Sequence, residues 1–401
     1  MRIVSINSVY AVGSTGKILQ NLHAFLHEHE AESIVFYGRG KKLNIENIKK
    51  ISTETEAYVH SFLSRMSGVD FDYSFFATNK LLDSLRKIKP DVVHLHCLNG
   101  HFVNVYKLLK YLKEHDIPTV LTLHAEIMHT AGCEHAYECE KWKSECYNCS
   151  KIRGRLSQYF RDDARTCFDK LKISYSGFDK LVVVGVSDWL TDRAKQSAVF
   201  QKVSPRFLTI NNGVNSKIYF YRGNKEEICV RWAIPARKVV LHVTPNFLHP
   251  LKGGQYVLDL AKRMPETIFV IVGYNGELKS KLPNNVITIK HTSNQRELAE
   301  LYSMADLCLL TSKRETFSMV CAESLCCGTP IVGFKAGGPE SIALHEYSNF
   351  VDYGNVDALM IKADEMLNKE YNKEDISQKA IERYSNETMC SKYLELYRTI
   401  I

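Results

Sequence analysis

Two carboxylates eight positions apart carry the clearest chemistry in this chain. They lie in Thr311-Ser312-Lys313-Arg314-Glu315-Thr316-Phe317-Ser318-Met319-Val320-Cys321-Ala322-Glu323. Glu315 falls in a loop, and Glu323 lies about one turn inside a short apolar helix that ends near Cys327-Gly328. The run Pro330–Phe334 that follows reads as a buried strand bounded by turn residues. A helix start exposes amides with no partner in their own helix, and with the helix dipole they suit a phosphate. The side chain of Glu323 leans back toward that start, where a carboxylate can accept from a diol such as a ribose. Glu315 is placed to accept from sugar hydroxyls. The segment is a nucleotide-sugar site in outline.

Other loops offer complementary groups. Gly13-Ser14-Thr15-Gly16-Lys17 follows the first strand and precedes a helix, and Gly16, lacking a Cβ, allows backbone to approach a phosphate. A plain tight turn explains the same glycines. Ile18 stands where a Walker A loop needs Ser or Thr, and the G-x-G-x-x-G spacing is missing, so neither fingerprint is met. His124 closes the strand Thr119–His124 and can bond a sugar hydroxyl or steady developing charge; a packing histidine is the alternative. His94 and His96 share one face of the strand Asp91–His96 and read as core or cleft packing. Lys252-Gly253-Gly254 puts a lysine where it can balance a leaving diphosphate, although ordinary helix-start chemistry also accounts for the glycines. Gly337-Gly338-Pro339-Glu340 is a similar close-approach loop.

The elements that must hold these loops alternate along the chain. Arg2–Asn7, Glu32–Tyr37, Asp91–His96, Thr119–His124, Leu181–Ser187 and Phe207–Asn211 read as strands in the first half. Val239–Thr244, Ile268–Gly273, Val286–Lys290, Leu307–Thr311 and Pro330–Phe334 repeat the theme in the second. Most are dense in Val, Ile and Leu with little alternation, as strands covered on both faces are. Amphipathic stretches such as Gly16–Glu28 and Val103–Glu114 lie between them. The expected fold class is α/β, with two Rossmann-like, doubly wound parallel-sheet domains facing a cleft and ligands at the carboxyl ends of the strands. The expected boundaries are 1–214, 215–380, and a C-terminal helix over 381–401 that returns to the first domain.

The chain of 401 residues exceeds the size at which single cores stop growing, which favours two domains. Lys plus Arg exceed Asp plus Glu by 52 to 45, an excess of +7. That excess is compatible with an anionic substrate, an anionic membrane surface or a solvated exterior. No stretch alternates basic and aromatic residues in a recognisable nucleic-acid module. No apolar run approaches the about 20 residues of a membrane span. The opening Met1–Asn7 reads as a first strand and not a signal peptide, so a cytoplasmic location, peripheral to a membrane at most, is expected. The basic segment Arg39–Lys42 and the aromatic stretch Phe71–Phe76 could touch lipid headgroups, or be a solvated loop and a core helix.

Cys133, Cys139, Cys146 and Cys149 form an insert over 127–152, in the first domain, with four thiols within 17 positions. They match the ligand count of a structural zinc site, with His129 and His135 as spare ligands. Reduced thiols or a redox pair are the alternatives. Cys308, Cys321, Cys326 and Cys327 lie in apolar segments and read as reduced core residues.

Taken together, Glu315…Glu323, Lys252-Gly253, Asn212-Gly213-Val214-Asn215, His124 and the loop at Gly16 resemble glycosyltransferase family 4, whose members are retaining, nucleotide-sugar-dependent enzymes of the GT-B fold. The resemblance covers nearly the whole chain. Ile6-Asn7-Ser8-Val9-Tyr10 and Trp142-Lys143…Cys146…Cys149 bring it nearest the bacterial polysaccharide-assembly members of colanic-acid type. It implies that Glu315 binds donor-sugar hydroxyls, Glu323 the ribose, and the amides of Phe317, Ser318, Met319 and Val320 the diphosphate and sugar. It further implies that Lys252 neutralises the diphosphate, Gly16 gives it backbone room and His124 meets the donor sugar near its 6-position. Two departures stand out. Many members carry an arginine shortly before Lys-Gly where this chain has Val243–Phe247, leaving Asn246 as an uncharged substitute. Many also place Asp directly after the histidine, where this chain has Ala125 and Glu126.

The resemblance implies transfer of a sugar from a nucleotide diphosphate to a growing, lipid-linked bacterial glycan. It implies a nucleotide sugar as co-substrate, no redox cofactor and no essential divalent metal at the chemistry. The composition gives no nucleic-acid partner, and the segments Arg39–Lys42 and Phe71–Phe76 leave peripheral contact with the inner membrane surface open. Retaining glycosidases need paired carboxylates of a kind not identifiable here. A UDP-sugar 2-epimerase on the same architecture and a non-catalytic, zinc-dependent sugar-binding protein are the competing readings.

Overall fold

The computed structural model describes residues 1–130, 132–149, 162–201, 203, 205–274, 276, 282–292 and 294–401. Residues 131 and 150–152 of the cysteine-rich insert lie outside the described residues. The chain divides into two compact units, Met1–Asn211 with Met389–Ile401, and Asn212–Thr388.

The first unit runs β1 (Arg2–Asn7), α1 (Gly13–Glu28), β2 (Glu32–Tyr37), β3 (Ile48–Lys50), α2 (Glu54–Ser67), α3 (Phe75–Ile88), β4 (Val92–Leu95), α4 (Val105–Glu114), β5 (Thr119–Leu123), α5 (Ala164–Tyr175), β6 (Leu181–Gly185), α6 (Asp188–Lys195) and β7 (Arg206–Thr209). Its seven strands are ordered β3-β2-β1-β4-β5-β6-β7, and every described pairing is parallel. The second unit runs α7 (Lys225–Arg231), β8 (Val239–Val243), α8 (Gly254–Arg263), β9 (Ile268–Val272), β10 (Val286–Ile289), α9 (Gln295–Met304), β11 (Leu307–Leu310), α10 (Met319–Cys326), β12 (Ile331–Phe334), α11 (Gly338–Ile342), β13 (Ser348–Val351), α12 (Val356–Leu367) and α13 (Lys373–Tyr384). Its strands are ordered β10-β9-β8-β11-β12-β13, again parallel throughout. A last helix, α14 (Asn386–Ile400), follows a break at Ser385.

The central strands are buried along their whole length, since parallel connections leave helices on both faces of a sheet. In each sheet the strand order reverses once, between β1 and β4 and between β8 and β11. Such a switch point splays two consecutive loops apart at the carboxyl ends and opens a crevice for a ligand. The loop holding Lys252 leaves β8, and the loop holding Glu315 leaves β11.

The first core also takes in α14. Met389, Cys390, Tyr393 and Tyr397 pack among Ile3, Leu22, Val92 and Val184. Two buried hydroxyls fasten the helix to the sheet: Tyr397 lies 2.5 Å from His94 Nδ1, and Tyr393 lies 2.9 Å from Thr122 Oγ1. His94 closes the network with Nε2 at 2.7 Å from the same Thr122 oxygen. Its buried ring is thus a partnered packing histidine.

Many histidines of this unit are enclosed. Burial pushes His60 and His129 down to about 3, His101 and His124 down to about 4, and holds His94 and His96 well below the ordinary range. In the unfolded chain these rings titrate near about 6.5. Below that pH the unfolded state binds more protons than the folded one, so stability falls as pH drops toward the folded values. Denaturant melts at stepped pH should show a midpoint level above about pH 7 and falling steadily between about pH 6.5 and 4.

Candidate active site

In the second unit, backbone bonds assemble the loop after β11 from both sides. Lys313 N donates to Leu251 O at 2.9 Å, and Thr311 Oγ1 donates to Lys252 O at 2.7 Å. On the other side Glu315 N donates to Ala336 O at 3.1 Å, and Gly338 N donates to Glu315 O at 2.9 Å. Two glycines permit this closeness. A Cβ on Gly253, whose φ is +71°, would meet Thr311 O at 2.3 Å; one on Gly338 would meet the Thr316 carbonyl at 2.4 Å.

Within this frame Lys252 Nζ lies 2.6 Å from Glu315 Oε1, both side chains partly exposed. They line a small cavity of about 40 Å³ with Ser318, Val320 and His242. Lys252 is the one cation lining it among the described residues. Ser318 caps α10 from a φ of +76°, unusual for a residue with a Cβ, and its Oγ accepts from Cys321 N at 3.3 Å. The amides of Met319 and Val320, ahead of that bond, have no acceptor in their own helix. Ammonium, carboxylate and helix start thus converge, a combination suited to a ligand bearing both phosphate and hydroxyls.

Glu323 stands one turn further along α10, held by two buried tyrosines. Tyr302 donates to its Oε2 at 3.3 Å, and Tyr219 also bonds it. Burial first, then this carboxylate, raises both phenols above their ordinary range. Phe317 is buried with its ring edge-on to Tyr384, leaving only its backbone to serve a ligand. Asn246 is exposed and is not among the residues lining the cavity; Thr244 and Pro245 line it instead. His242 is a site residue that sequence reasoning did not single out. It is buried on β8, Nδ1 is 3.0 Å from Leu309 O, and Nε2 has no partner among the described residues. Burial pushes it down to about 4, so it is a neutral imidazole at physiological pH. A polar residue inside the apolar run Val239–Val243 was its visible signal.

In the first unit, Gly16 lies in the first turn of α1, folded against the loop after β1. Ala11 N donates to Gly16 O at 2.9 Å, and a Cβ on Gly16 would meet Ala11 N at 3.1 Å. His124 leaves β5 beside His96, with His124 Nε2 and His96 Nδ1 3.2 Å apart and the rings stacked. Both line a cavity of about 20 Å³ with Cys97 and Asn99. His94, whose ring lies 3.9 Å from that of His96, extends the stack inward.

Among the described residues no group of three or more His, Cys, Asp or Glu side chains is gathered to hold a metal, so the structure does not support the zinc expected at Cys133, Cys139, Cys146 and Cys149. The insert is organised by an indole and an ion pair. Trp142 is 1% exposed, donates Nε1–H to Cys139 O at 2.7 Å, and carries the Arg193 guanidinium 4.6 Å from its ring. Arg193 in turn binds Glu126 Oε1 at 2.7 Å, and Glu126 Oε2 accepts from Ala136 N at 2.8 Å. Glu126 is thus a fully buried structural carboxylate. Elsewhere Cys308, Cys321, Cys326 and Cys327 are buried core thiols pushed up by desolvation, as expected.

Comparison with known proteins bears on the family and the fold. The family model described as Glycosyltransferase Family 4 matches residues 16–217, and that described as Glycosyl transferases group 1 matches 224–383. The N-acetyl-alpha-D-glucosaminyl L-malate synthase of Bacillus anthracis is 22% identical over 342 residues, covering 82% of this chain and 80% of that protein. Sucrose-phosphate synthase from Thermosynechococcus elongatus superposes with a TM-score of 0.70 at 15% identity, covering 100% and 99% of the two chains. Anabaena Alr3699/HepE in complex with UDP-glucose superposes at 0.63, with 15% identity and 100% of both chains covered. Paired parallel sheets of this kind and these domain models define a glycosyltransferase with the GT-B architecture. The chain belongs to glycosyltransferase family 4.

Two consequences are measurable. Trp142→Ala should destabilise the protein by about 3–5 kcal/mol in denaturant melts. Gly253→Ala, strained by its φ and by contact with Thr311 O, should lose about 1–3 kcal/mol and weaken donor-dependent thermal stabilisation.

Proposed function

We propose that the chain is a retaining transferase that moves a sugar from a nucleotide diphosphate to a growing, lipid-linked bacterial glycan. The observation that carries this reading is the Lys252–Glu315 pair beside the start of α10. One ammonium N–H is spent on Glu315 Oε1, which leaves two donors for a diphosphate. Glu315 Oε2 is left to accept from sugar hydroxyls. The amides of Phe317, Ser318, Met319 and Val320 would take the phosphate oxygens, and Glu323, steadied by Tyr219 and Tyr302, the ribose diol. His124 would contact the donor sugar, with Gly16 and Asn246 beside the diphosphate. The UDP-glucose bound by the Anabaena neighbour supports a UDP sugar as the donor class.

In the proposed reaction the bond from the anomeric carbon to the leaving phosphate breaks. A bond from the acceptor oxygen forms on the same face, and the acceptor proton passes to that phosphate. No enzyme nucleophile is required. The protein supplies position, and Lys252 and the helix start stabilise charge developing on the diphosphate. The Bacillus anthracis relative, by its name, glycosylates malate, so small hydroxy acids belong in an acceptor panel beside lipid-linked glycans.

Glu315→Ala should lower transfer by about 100-fold or more while the protein still melts cooperatively. Unchanged transfer would sink the assignment. NMR of the product should show the anomeric configuration of the donor. Incubation with UDP-GlcNAc and no acceptor should leave the sugar unepimerised; conversion to a 2-epimer would establish the epimerase instead.

A further inference from the structure

We propose that the outward face of α2, together with the first turn of α3, docks this chain on an anionic lipid bilayer. Helix α2 is inside out. The side it buries carries only Ala57, His60 and Ser64. Its solvent side carries Tyr58 at 67% exposure, Val59 at 53%, Phe62 at 61%, Leu63 at 37% and Met66 at 51%. At about 100° per residue these five fall opposite the buried three. The patch continues onto α3, where Phe75 and Phe76 are 53% and 83% exposed. The two helices are joined there: His60 Nδ1 lies 2.8 Å from Ser74 Oγ, and Ala77 N donates to Glu56 Oε1 at 2.9 Å. Single exposed apolar residues are ordinary, but a contiguous group of this size marks a surface that something covers.

The charge around the patch selects the occupant. Arg39 lies 5.6 Å from the ring of Tyr58, and with Lys50 it neutralises Glu54 in the first turn of α2. Glu56 is spent on the start of α3. The adjoining loop leaves Lys41, Lys42 and Lys49 exposed against a single exposed carboxylate, Glu46, and Lys80 follows Phe76 by one turn. An apolar stripe rich in aromatic residues with a basic margin matches the boundary between headgroups and acyl chains of an anionic membrane. A second copy fits poorly, because a twofold contact would set one basic margin against another. With 14 residues α2 is too short to span a bilayer and would lie in its plane. The expected lipid contact at Phe71–Phe76 is thus redrawn: Phe71 is buried, Phe75 and Phe76 are exposed, and α2 supplies most of the surface.

This inference deepens the function proposed above, whose acceptor is lipid-linked, but it does not depend on sugar transfer. The test is co-sedimentation of the full chain with vesicles of phosphatidylcholine alone or mixed with phosphatidylglycerol, at low and high salt. The protein should bind the anionic vesicles and release with salt. Phe62→Ser with Phe76→Ser should reduce the bound fraction about tenfold or more without shifting the melting temperature, since both side chains are already in water. Lys41→Glu with Lys42→Glu leaves the apolar face intact and should also abolish binding, which keeps the test open if the first variant misfolds. Failure of the wild type to bind anionic vesicles would overturn the proposal. So would equal binding by the Phe62, Phe76 variant, or a dimer in light scattering that this variant dissolves. Thermal stabilisation by a nucleotide sugar in solution should be unchanged in both variants, so that a failed docking surface is told apart from a failed donor site.

Discussion

The contact between Lys252 and Glu315 depends on the sheet beneath it, and the candidate site depends on that contact. These residues are 63 positions apart and meet because β8 and β11 are neighbours at the point where the strand order reverses. Each strand ends in a loop that cannot bond to its own helix, so the loops bond to one another through Thr311, Lys313 and the carbonyls of Leu251 and Lys252. As a partly exposed ion pair it adds little to stability. Its importance is positional, because it holds a cation and a carboxylate beside the amides of α10 before any ligand arrives. A diphosphate sugar carries negative charge at one end and hydroxyls at the other, and that polarity is mirrored in the pair.

The first unit solves a different problem, the burial of many polar rings among parallel strands. His94 is satisfied on both nitrogens, by Tyr397 and Thr122, which also anchors the last helix. His96 and His124 share one contact and leave His96 Nε2 without a partner among the described residues. Unpartnered buried nitrogens are costly, and they recur where a ligand can complete them. His242 in the second unit has the same character beside Lys252. The insert after β5 instead pairs its buried carboxylate. Glu126 receives Arg193 and the amide of Ala136, and Arg193 in turn covers Trp142. That closure gives the insert a small core around Trp142.

Most of the architecture was legible before any coordinates. Strands of a covered parallel sheet are continuous apolar runs, and β1 and β2 begin and end where their runs do. The two strands not anticipated, β3 and β13, are short edge strands only partly buried, and edges need no apolar run. The break at Ser385 was equally hidden, since α13 and α14 share one amphipathic pattern. At the site, the contact of Lys252 with Glu315 joins two loops just past apolar runs, and the sequence marks each loop singly: Lys252 stands beside Gly253, and Glu315 follows the strand Leu307–Leu310.

Sequence alone therefore determined the alternation of strands and helices, the paired parallel sheets and the residue types that could meet a nucleotide sugar. These are set by local hydrophobic pattern and by the chemistry of single side chains. Only the tertiary structure decided which distant groups converge. Tyr219 and Tyr302 on Glu323 and Trp142 under Arg193 are contacts between segments whose spacing carries no periodic signal. The outward apolar face of α2 belongs to the same class. A helical pattern tells which residues share a face, but the direction of that face is fixed by what the rest of the fold leaves to pack against.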